Sequence, residues 1–211
     1  MLRHERTDGL GTKVWSLRDL CRRELLLLVI GGLLLGSFIL VWAISYLNSI
    51  TPEGIVIHHT SAIPPILHLG ASTGDRLPLN LNAWDEFHQE RGFGAFYWGR
   101  IYHIGYHYVI FPDGTVKHGR PERCVGAHTK GFNRYLGIAL VGDFNQKNHL
   151  HGTAIPSEPT REQMQALVTL CRQLRVRYKI SLERIIPHNA VAPTKCPGDR
   201  FPFKEFVRQI Q

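Results

Sequence analysis

The chain has 211 residues, a formal net charge of +8 and four cysteines. Roughly the first fifty residues differ in composition from the rest, so about 160 remain for one globular domain, and the length argues against a second. Basic residues are scattered singly and form no stripe, which argues against nucleic acid as a partner. Four cysteines, one of them in the N-terminal segment, are too few for a disulfide framework.

The first predicted element is a transmembrane helix over residues 25–47. This run carries no charged residue, and as a helix it would span roughly the 30 Å hydrocarbon layer. Six basic residues precede it and none follows before residue 68, so residues 1–24 are predicted to be a cytoplasmic basic tail. Residues 48–211 are then a periplasmic or extracytoplasmic domain anchored in the inner (cytoplasmic) membrane. The alternative is a cleaved signal peptide, although its apolar core is usually shorter, about 7–15 residues.

The outer domain opens with a predicted strand, Gly54–His59, whose β-branched residues favour a buried position. Residues 61–80 are rich in Pro, Gly and Ser and are predicted to be a loop. A short helix is predicted over Asn82–Arg91, with Asn82 as its N-cap and Gly92 closing it.

A β-hairpin is predicted next, with strands at residues 104–111 and 115–117 joined by the turn sequence Pro112-Asp113-Gly114. Residues 136–141 are apolar at nearly every position, which predicts a central strand covered on both faces. We therefore expect helices on both sides of the sheet.

The C-terminal part of the chain is predicted to supply those helices. One begins at Thr160, where Thr160 and Gln163 match a capping box, and its apolar residues recur at helical spacing as far as Tyr178. A short strand at residues 184–187 and a last helix around residues 203–210 close the chain. The predicted fold class is α/β: one domain with a central mixed β-sheet covered by helices and preceded by one transmembrane helix.

Three side chains could form a metal centre. His58 ends the first predicted strand, and His188 and Cys196 flank a Pro-containing loop that can direct both toward one point. A catalytic zinc site uses three protein ligands from His, Cys and carboxylates, so this triple has suitable chemistry. A single histidine or cysteine is, however, more often a buried structural residue, and the spacing leaves both interpretations open.

A set of ordered motifs extends over nearly all of the outer domain. They are Ile55-Val-Ile-His-His-Thr60, His88-x-x-Arg91-Gly92, Ile104-Gly-Tyr-His-Tyr-Val-Ile110 with Pro112-Asp-Gly-Thr115, Gly126-Ala-His-Thr129 with Asn133, Gly137-Ile-Ala-Leu-Val-Gly142, and His188 through Pro197. In this order the motifs resemble those of the type-2 N-acetylmuramoyl-L-alanine amidase family, which includes phage amidases and peptidoglycan recognition proteins.

The resemblance implies the function and the residues that carry it. It implies Zn2+ bound by His58, His188 and Cys196, and catalysis by Tyr106 and Thr194. Position 194 departs from the lysine of phage enzymes and matches the animal recognition proteins better. The implied reaction is zinc-dependent hydrolysis of the amide between N-acetylmuramic acid and L-alanine in peptidoglycan or its fragments.

Other residues are predicted to lie around the site, and two other functions remain open. Arg91, His128 and Asn133 are predicted to bind substrate, whereas His59 and His107 are expected to point to the opposite faces of their strands and not to bind metal. The predicted partners are peptidoglycan or muropeptides and the membrane. The alternatives are a non-catalytic peptidoglycan-binding module and a membrane-tethered envelope scaffold.

Overall fold

The computed structural model describes residues 17–61, 81–145 and 156–211. The chain divides into two compact units that meet between Tyr46 and Leu47. In the first unit, helix α1 (Leu17–Leu47) is long and apolar enough over Arg22–Leu47 to cross a membrane, judged by length and composition. It begins before the predicted residue 25.

The second unit is an α/β domain with a five-stranded mixed sheet, as predicted. Its strands in chain order are β1 (Ile55–His59), β4 (Tyr108–Ile110), β5 (Val116–His118), β6 (Leu136–Leu140) and β7 (Ile185–Pro187). A separate two-stranded sheet pairs β2 (Ala95–Tyr97) with β3 (Arg100–Tyr102). The helices are α2 (Asn82–Glu90), α3 (Arg161–Tyr178) and α4 (Phe203–Gln209).

The strand order is β5-β4-β6-β1-β7, and only β5 runs antiparallel to its neighbour. Strand β6 is central and every one of its residues is buried, which confirms the prediction for residues 136–141. One face packs against α3 and α4 through a large apolar cluster that includes Ile57, Ile138 and Phe206. The other face packs against α2 through a smaller cluster around Trp84, Val109 and other apolar residues.

The predicted capping box of α3 is present. The Thr160 side chain accepts a hydrogen bond from the Gln163 backbone N–H at 3.0 Å, and the Gln163 side chain accepts one from the Thr160 N–H at 3.1 Å. Gln163 also donates to the carbonyls of Ile110 and Val141 from a fully buried position. The box therefore fixes the start of α3 to the ends of β4 and β6.

Three local predictions differ from the structure. Leu81 is the N-cap of α2 and Asn82 is its first helical residue, so the predicted Asn82 cap is wrong. The first hairpin strand is confined to Tyr108–Ile110, and at the start of the predicted strand the N–H groups of residues 104 and 105 are bound by the side chains of Asp85 and His88 of α2. The β2–β3 hairpin was not predicted at all.

Most of the predicted loop at residues 61–80 lies outside the described residues. The short segment between α1 and β1 packs onto the domain: the Ile50 N–H donates to the Arg123 carbonyl at 2.9 Å and the Glu53 N–H donates to the Arg134 carbonyl at 3.1 Å. The Ile50 side chain is 5% exposed. This segment is therefore part of the domain and not a free spacer.

Candidate active site

The carboxyl end of the sheet brings two histidines together. Strands β1 and β7 are parallel neighbours with Ile57 opposite Pro187, so the next residue of each chain segment, His58 and His188, leaves the same sheet edge. Their ring centroids lie 4.4 Å apart. The side-chain alternation of β1 turns His58 away from the face occupied by Ile57 and toward the α2 side.

Cys196 approaches from the loop after β7. The Asn189 N–H donates to the Cys196 carbonyl at 2.8 Å, which closes this loop back on itself. The Cys196 Sγ atom accepts a hydrogen bond from the His59 backbone N–H at 3.3 Å and lies 3.6 Å from Nδ1 of His58. One ligand atom from each of His58, His188 and Cys196 lies within 4.8 Å of the others.

This geometry fits a tetrahedral zinc ion. Zinc–sulfur and zinc–nitrogen bonds of about 2.3 and 2.0–2.1 Å at a tetrahedral angle require a sulfur–nitrogen separation of about 3.6 Å. The separation of Cys196 Sγ from His58 Nδ1 is 3.6 Å. Two imidazoles and one thiolate are also three ligands of the types that catalytic zinc sites use, which leaves a fourth position open. The residues present can therefore hold zinc.

The protein environment favours the uncharged form of both imidazoles. Burial lowers the pKa of His58 well below its ordinary value, and the neighbouring His128 and His188 lower it further. Burial also lowers the pKa of His188. Burial raises the pKa of the Cys196 thiol to about 12, against the lowering effect of the N–H donated by His59. A neutral imidazole is ready to bind a cation, whereas the thiol must lose its proton when it does.

His128 fixes the tautomer of His58. The Nε2 atom of His128 lies 2.9 Å from the Tyr135 carbonyl, which can only accept, so this nitrogen carries the proton. The Nδ1 atom of His128 is then an acceptor, and it lies 3.1 Å from Nε2 of His58. Because His58 donates from Nε2, its Nδ1 lone pair faces Cys196 and is free to bind metal.

Two glycines leave the space that the His128 ring occupies. A Cβ atom added at Gly137 would lie 2.5 Å from the His128 ring, and one added at Gly126 would lie 2.6 Å from it. The Asn133 side-chain oxygen accepts the N–H groups of His128 and Thr129, both at 3.0 Å. The predicted substrate-binding residues His128 and Asn133 thus have contacts within the protein that the sequence did not reveal.

Helix α2 positions Tyr106. The Asp85 carboxylate accepts the N–H groups of His103 and Ile104 at 3.1 and 2.9 Å, and His88 Nδ1 accepts the N–H of Gly105 at 3.2 Å. The Tyr106 ring lies 5.2 Å from the His58 ring. Burial raises the pKa of Tyr106, with a further rise from nearby Cys196, so its hydroxyl stays protonated and is available as a donor.

The remaining predicted residues lie on the rim. Thr194 is exposed, and its hydroxyl oxygen accepts the Cys196 N–H at 3.2 Å. Arg91 follows α2, and its guanidinium lies over the rings of Phe87 and Phe93 at 5.4 and 5.8 Å. Both are accessible, which a role in substrate binding or catalysis requires.

The histidines beside the site face elsewhere, as expected. His59 Nδ1 accepts the Phe144 N–H at 3.0 Å. His107 is fully buried; its Nδ1 accepts the Gly137 N–H at 3.0 Å and its Nε2 lies 2.8 Å from the Cys124 carbonyl. Cys124 and Cys171 are buried free thiols.

Comparison with known proteins assigns the family. Residues 48–199 match the family model described as N-acetylmuramoyl-L-alanine amidase. The chain belongs to this family. The endolysin of Enterobacteria phage T3 is 34% identical to this amidase-family chain over 149 residues, which cover 70% of this chain and 82% of the endolysin.

A more distant relative and a solved structure agree with this assignment. The human N-acetylmuramoyl-L-alanine amidase is 29% identical over 151 residues, which cover 69% of this chain and 22% of the human protein. The solved endolysin amidase LysCS from Clostridium intestinale URNW has 33% identity and a TM-score of 0.57, covering 76% of this chain and 84% of LysCS. The amidase family and the fold are therefore assigned by sequence and by structure.

Proposed function

We propose that this protein is a zinc-dependent N-acetylmuramoyl-L-alanine amidase that is tethered to the inner membrane and acts on peptidoglycan or its fragments outside the cytoplasm. The observation that carries the proposal is the convergence of His58, His188 and Cys196 on one point beside Tyr106. Family membership supports hydrolysis of the peptidoglycan amide. The metal chemistry follows from the donor set.

His58, His188 and Cys196 would hold the ion. The chemistry that zinc would supply there is polarisation of the scissile carbonyl and activation of water as a nucleophile at neutral pH. On the sheet side the chain contributes the buried side chains of His58 and Cys196.

Tyr106 is the proposed hydrogen-bond donor to the oxygen that gains negative charge. A donor aimed at charge that forms only in the transition state contributes about 3–4 kcal/mol. Thr194 is the proposed second polar group at the rim, and Arg91 can bind a stem-peptide carboxylate. His128 and Asn133 retain a proposed role in substrate binding, which is secondary to their contacts with His58 and the loop backbone.

The proposed membrane location rests on the N-terminal segment. Helix α1 has the length and composition of a membrane span. The basic residues that precede its apolar part favour a cytoplasmic N-terminus and an extracytoplasmic amidase domain. In this arrangement residues 1–24 form the tail, residues 25–47 the span and residues 48–211 the enzyme.

The test combines metal analysis with an activity assay. The full-length chain, purified in detergent, is analysed for bound metal and for release of stem peptides from purified peptidoglycan. We expect one zinc per wild-type chain and loss of both zinc and activity in Cys196→Ser. Tyr106→Phe should retain zinc while its activity falls by about 100-fold or more. Cys171→Ser and Tyr102→Phe, which alter a buried thiol and a tyrosine outside the site, serve as matched controls.

The same experiment separates the alternatives. A wild-type chain that carries no zinc and releases no peptide but sediments with peptidoglycan would be a binding module. A chain that carries zinc and binds the wall without cleaving it would fit a tethered scaffold. Either result would overturn the proposed activity.

A further inference from the structure

The β2–β3 hairpin presents an exposed apolar surface. Phe96 and Ile101 are paired across the two strands and are 38% and 55% exposed, and Trp98 in the turn is 49% exposed. Large apolar side chains grouped on one exposed element mark an interaction surface more often than isolated ones do. None of these three residues belongs to the proposed metal centre.

The turn of this hairpin places a tryptophan in an uncommon backbone conformation. Trp98 and Gly99 have φ values of +49° and +77°, the two positive angles of a type I′ turn. Asn or Asp followed by Gly fits such a turn with the least strain, and a bulky residue at positive φ is rare. A strained residue at a loop tip is a reason to look for a function of its side chain.

The hairpin contacts the segment that follows α1. The Ser49 hydroxyl donates to the Tyr97 hydroxyl oxygen at 3.4 Å, and the Tyr97 and Trp98 rings are 6.5 Å apart. One residue further, Ile50 is buried and its N–H donates to the Arg123 carbonyl. The chain is therefore held on the domain from Ser49 onward, two residues after α1 ends at Leu47.

Chain length then restricts where the hairpin can lie. Two residues span at most about 7 Å. The headgroup layer on each side of the hydrocarbon is roughly as thick, about 5–7 Å. If α1 spans the bilayer and ends at the outer edge of its hydrocarbon core, Tyr97 and the turn beside it cannot leave the headgroup region by much more than the length of a side chain.

We infer that the β2–β3 hairpin inserts Trp98, with Phe96 and Ile101, into the outer headgroup region of the membrane that α1 crosses. Tryptophan is enriched at this depth because its ring is apolar and its N–H is polar. The exposed residues Arg100 and Arg123 add positive charge near the attachment point, which suits lipid phosphates. The inference rests on the membrane tether in the proposed function.

Insertion of the hairpin would orient the amidase domain at the membrane, in addition to the tethering by α1. A second contact beside the first restricts rotation of the domain about the end of α1. Residues 103–106, which follow β3 directly, lead into the site at Tyr106. The hairpin would thus hold the active site at a fixed height and tilt above the bilayer.

The test uses the full-length chain in nanodiscs, with lipids brominated close to the headgroup as the quencher of tryptophan fluorescence. A Trp15→Phe/Trp42→Phe variant reports Trp98 over the background of Trp84, which is 4% exposed in the domain core. A Trp15→Phe/Trp98→Phe variant reports Trp42 of α1 over the same background. We expect brominated lipid to quench Trp98 to an extent comparable with Trp42.

The variants distinguish failure of the inference from failure of the tether. Quenching of Trp42 without quenching of Trp98 would leave the anchor in place and overturn membrane contact by the hairpin. Quenching of neither would show that α1 is not in the bilayer, which overturns the tether and the inference together. If Trp98 is unquenched but its fluorescence responds to added peptidoglycan fragments, the hairpin belongs to the wall-binding surface and the inference is wrong.

Discussion

The Nε2 atom of His58 lies 3.1 Å from Nδ1 of His128, and the other nitrogen of each ring faces a different partner: the metal-binding point for His58 and the Tyr135 carbonyl for His128. The tautomers of both rings therefore depend on one backbone carbonyl. Contacts of this kind orient a ligand and raise its basicity, and their loss typically lowers metal affinity by about 10–100-fold.

The first prediction concerns His128. His128→Ala and His128→Gln should weaken zinc binding by about 10–100-fold, because neither offers an acceptor where Nδ1 stands. His128→Asn should retain more of the affinity, since its side-chain oxygen can occupy that position. The measurement is the zinc dissociation constant by competition with a chelator. Equal affinities for the Asn and Ala variants would contradict the tautomer argument.

A control addresses the second acceptor near His58. The Thr129 hydroxyl lies 3.3 Å from His58 Nε2, slightly farther than His128 Nδ1. Thr129→Val removes this hydroxyl with little change in shape, and we expect a smaller loss of zinc affinity than for His128→Ala. A larger loss would assign the fixing of the tautomer to Thr129.

The second prediction concerns the space that His128 occupies. In Gly137→Ala the new Cβ would meet the ring of His128 at 2.5 Å, so the ring must shift from the position in which it contacts His58. We expect weaker zinc binding and a free energy of unfolding lower by about 1–3 kcal/mol, the usual effect of overpacking a core. Gly94→Ala is the matched control, because its Cβ would meet no atom closer than 3.8 Å. Normal zinc affinity in Gly137→Ala would show that the ring can be accommodated elsewhere.

The third prediction separates positioning of Tyr106 from metal binding. Asp85→Ala removes the acceptor of two backbone N–H groups just before Tyr106. We expect kcat to fall about tenfold or more, since small displacements of catalytic groups can reduce rates up to 100-fold, while zinc content stays at one per chain. Glu86→Ala, at an exposed neighbouring position, should have no effect on either quantity. Loss of zinc in Asp85→Ala would refute a role confined to Tyr106.

The fourth prediction concerns acid stability. Burial lowers the pKa of His107 to about 4, against the raising effect of its hydrogen bond to the Cys124 carbonyl. Since the folded pKa lies below the unfolded value of 6.5, the unfolded chain takes up the proton first as the pH falls. The contribution to stability is complete above about pH 6.5 and is lost toward pH 4, by about 3 kcal/mol.

The test is urea unfolding between pH 7 and pH 4 with a chelator present, so that metal release does not contribute. His107→Gln, which cannot take up a proton, should lower the stability at pH 7 and show a shallower decline toward acid than wild type. Parallel curves for the two proteins would place the acid sensitivity in other groups.

Much of the site could be predicted because its residues follow strands. His58 lies one residue before the end of β1 and His188 directly follows β7, and alternation along a strand separates His58 from His59. The pairing of Ile57 with Pro187 that makes them neighbours depends on the register between strands far apart in the chain. The apolar periodicity of α3 and its capping box predicted that helix correctly, because both are patterns within one short segment of the sequence.

Other features depend on contacts that no local pattern records. The hydrogen bond between His58 and His128 joins residues 70 positions apart, and the motif that contains His128 predicted a role in substrate binding, not a contact with His58. The β2 and β3 strands have three residues each, too few to show alternation. Asn82 is a favourable N-cap residue, but the helix starts one residue earlier than its side chain would require.

The long separation in sequence between the proposed metal ligands links metal binding to the stability of the folded state. Cys196 and His58 are 138 residues apart, so an unfolded chain has little tendency to hold both around one ion. Free zinc at 100 times its dissociation constant would stabilise the folded state by about 2.7 kcal/mol. If the protein binds zinc as proposed, zinc availability would then influence how long the folded chain survives proteolysis, in addition to how fast it turns over.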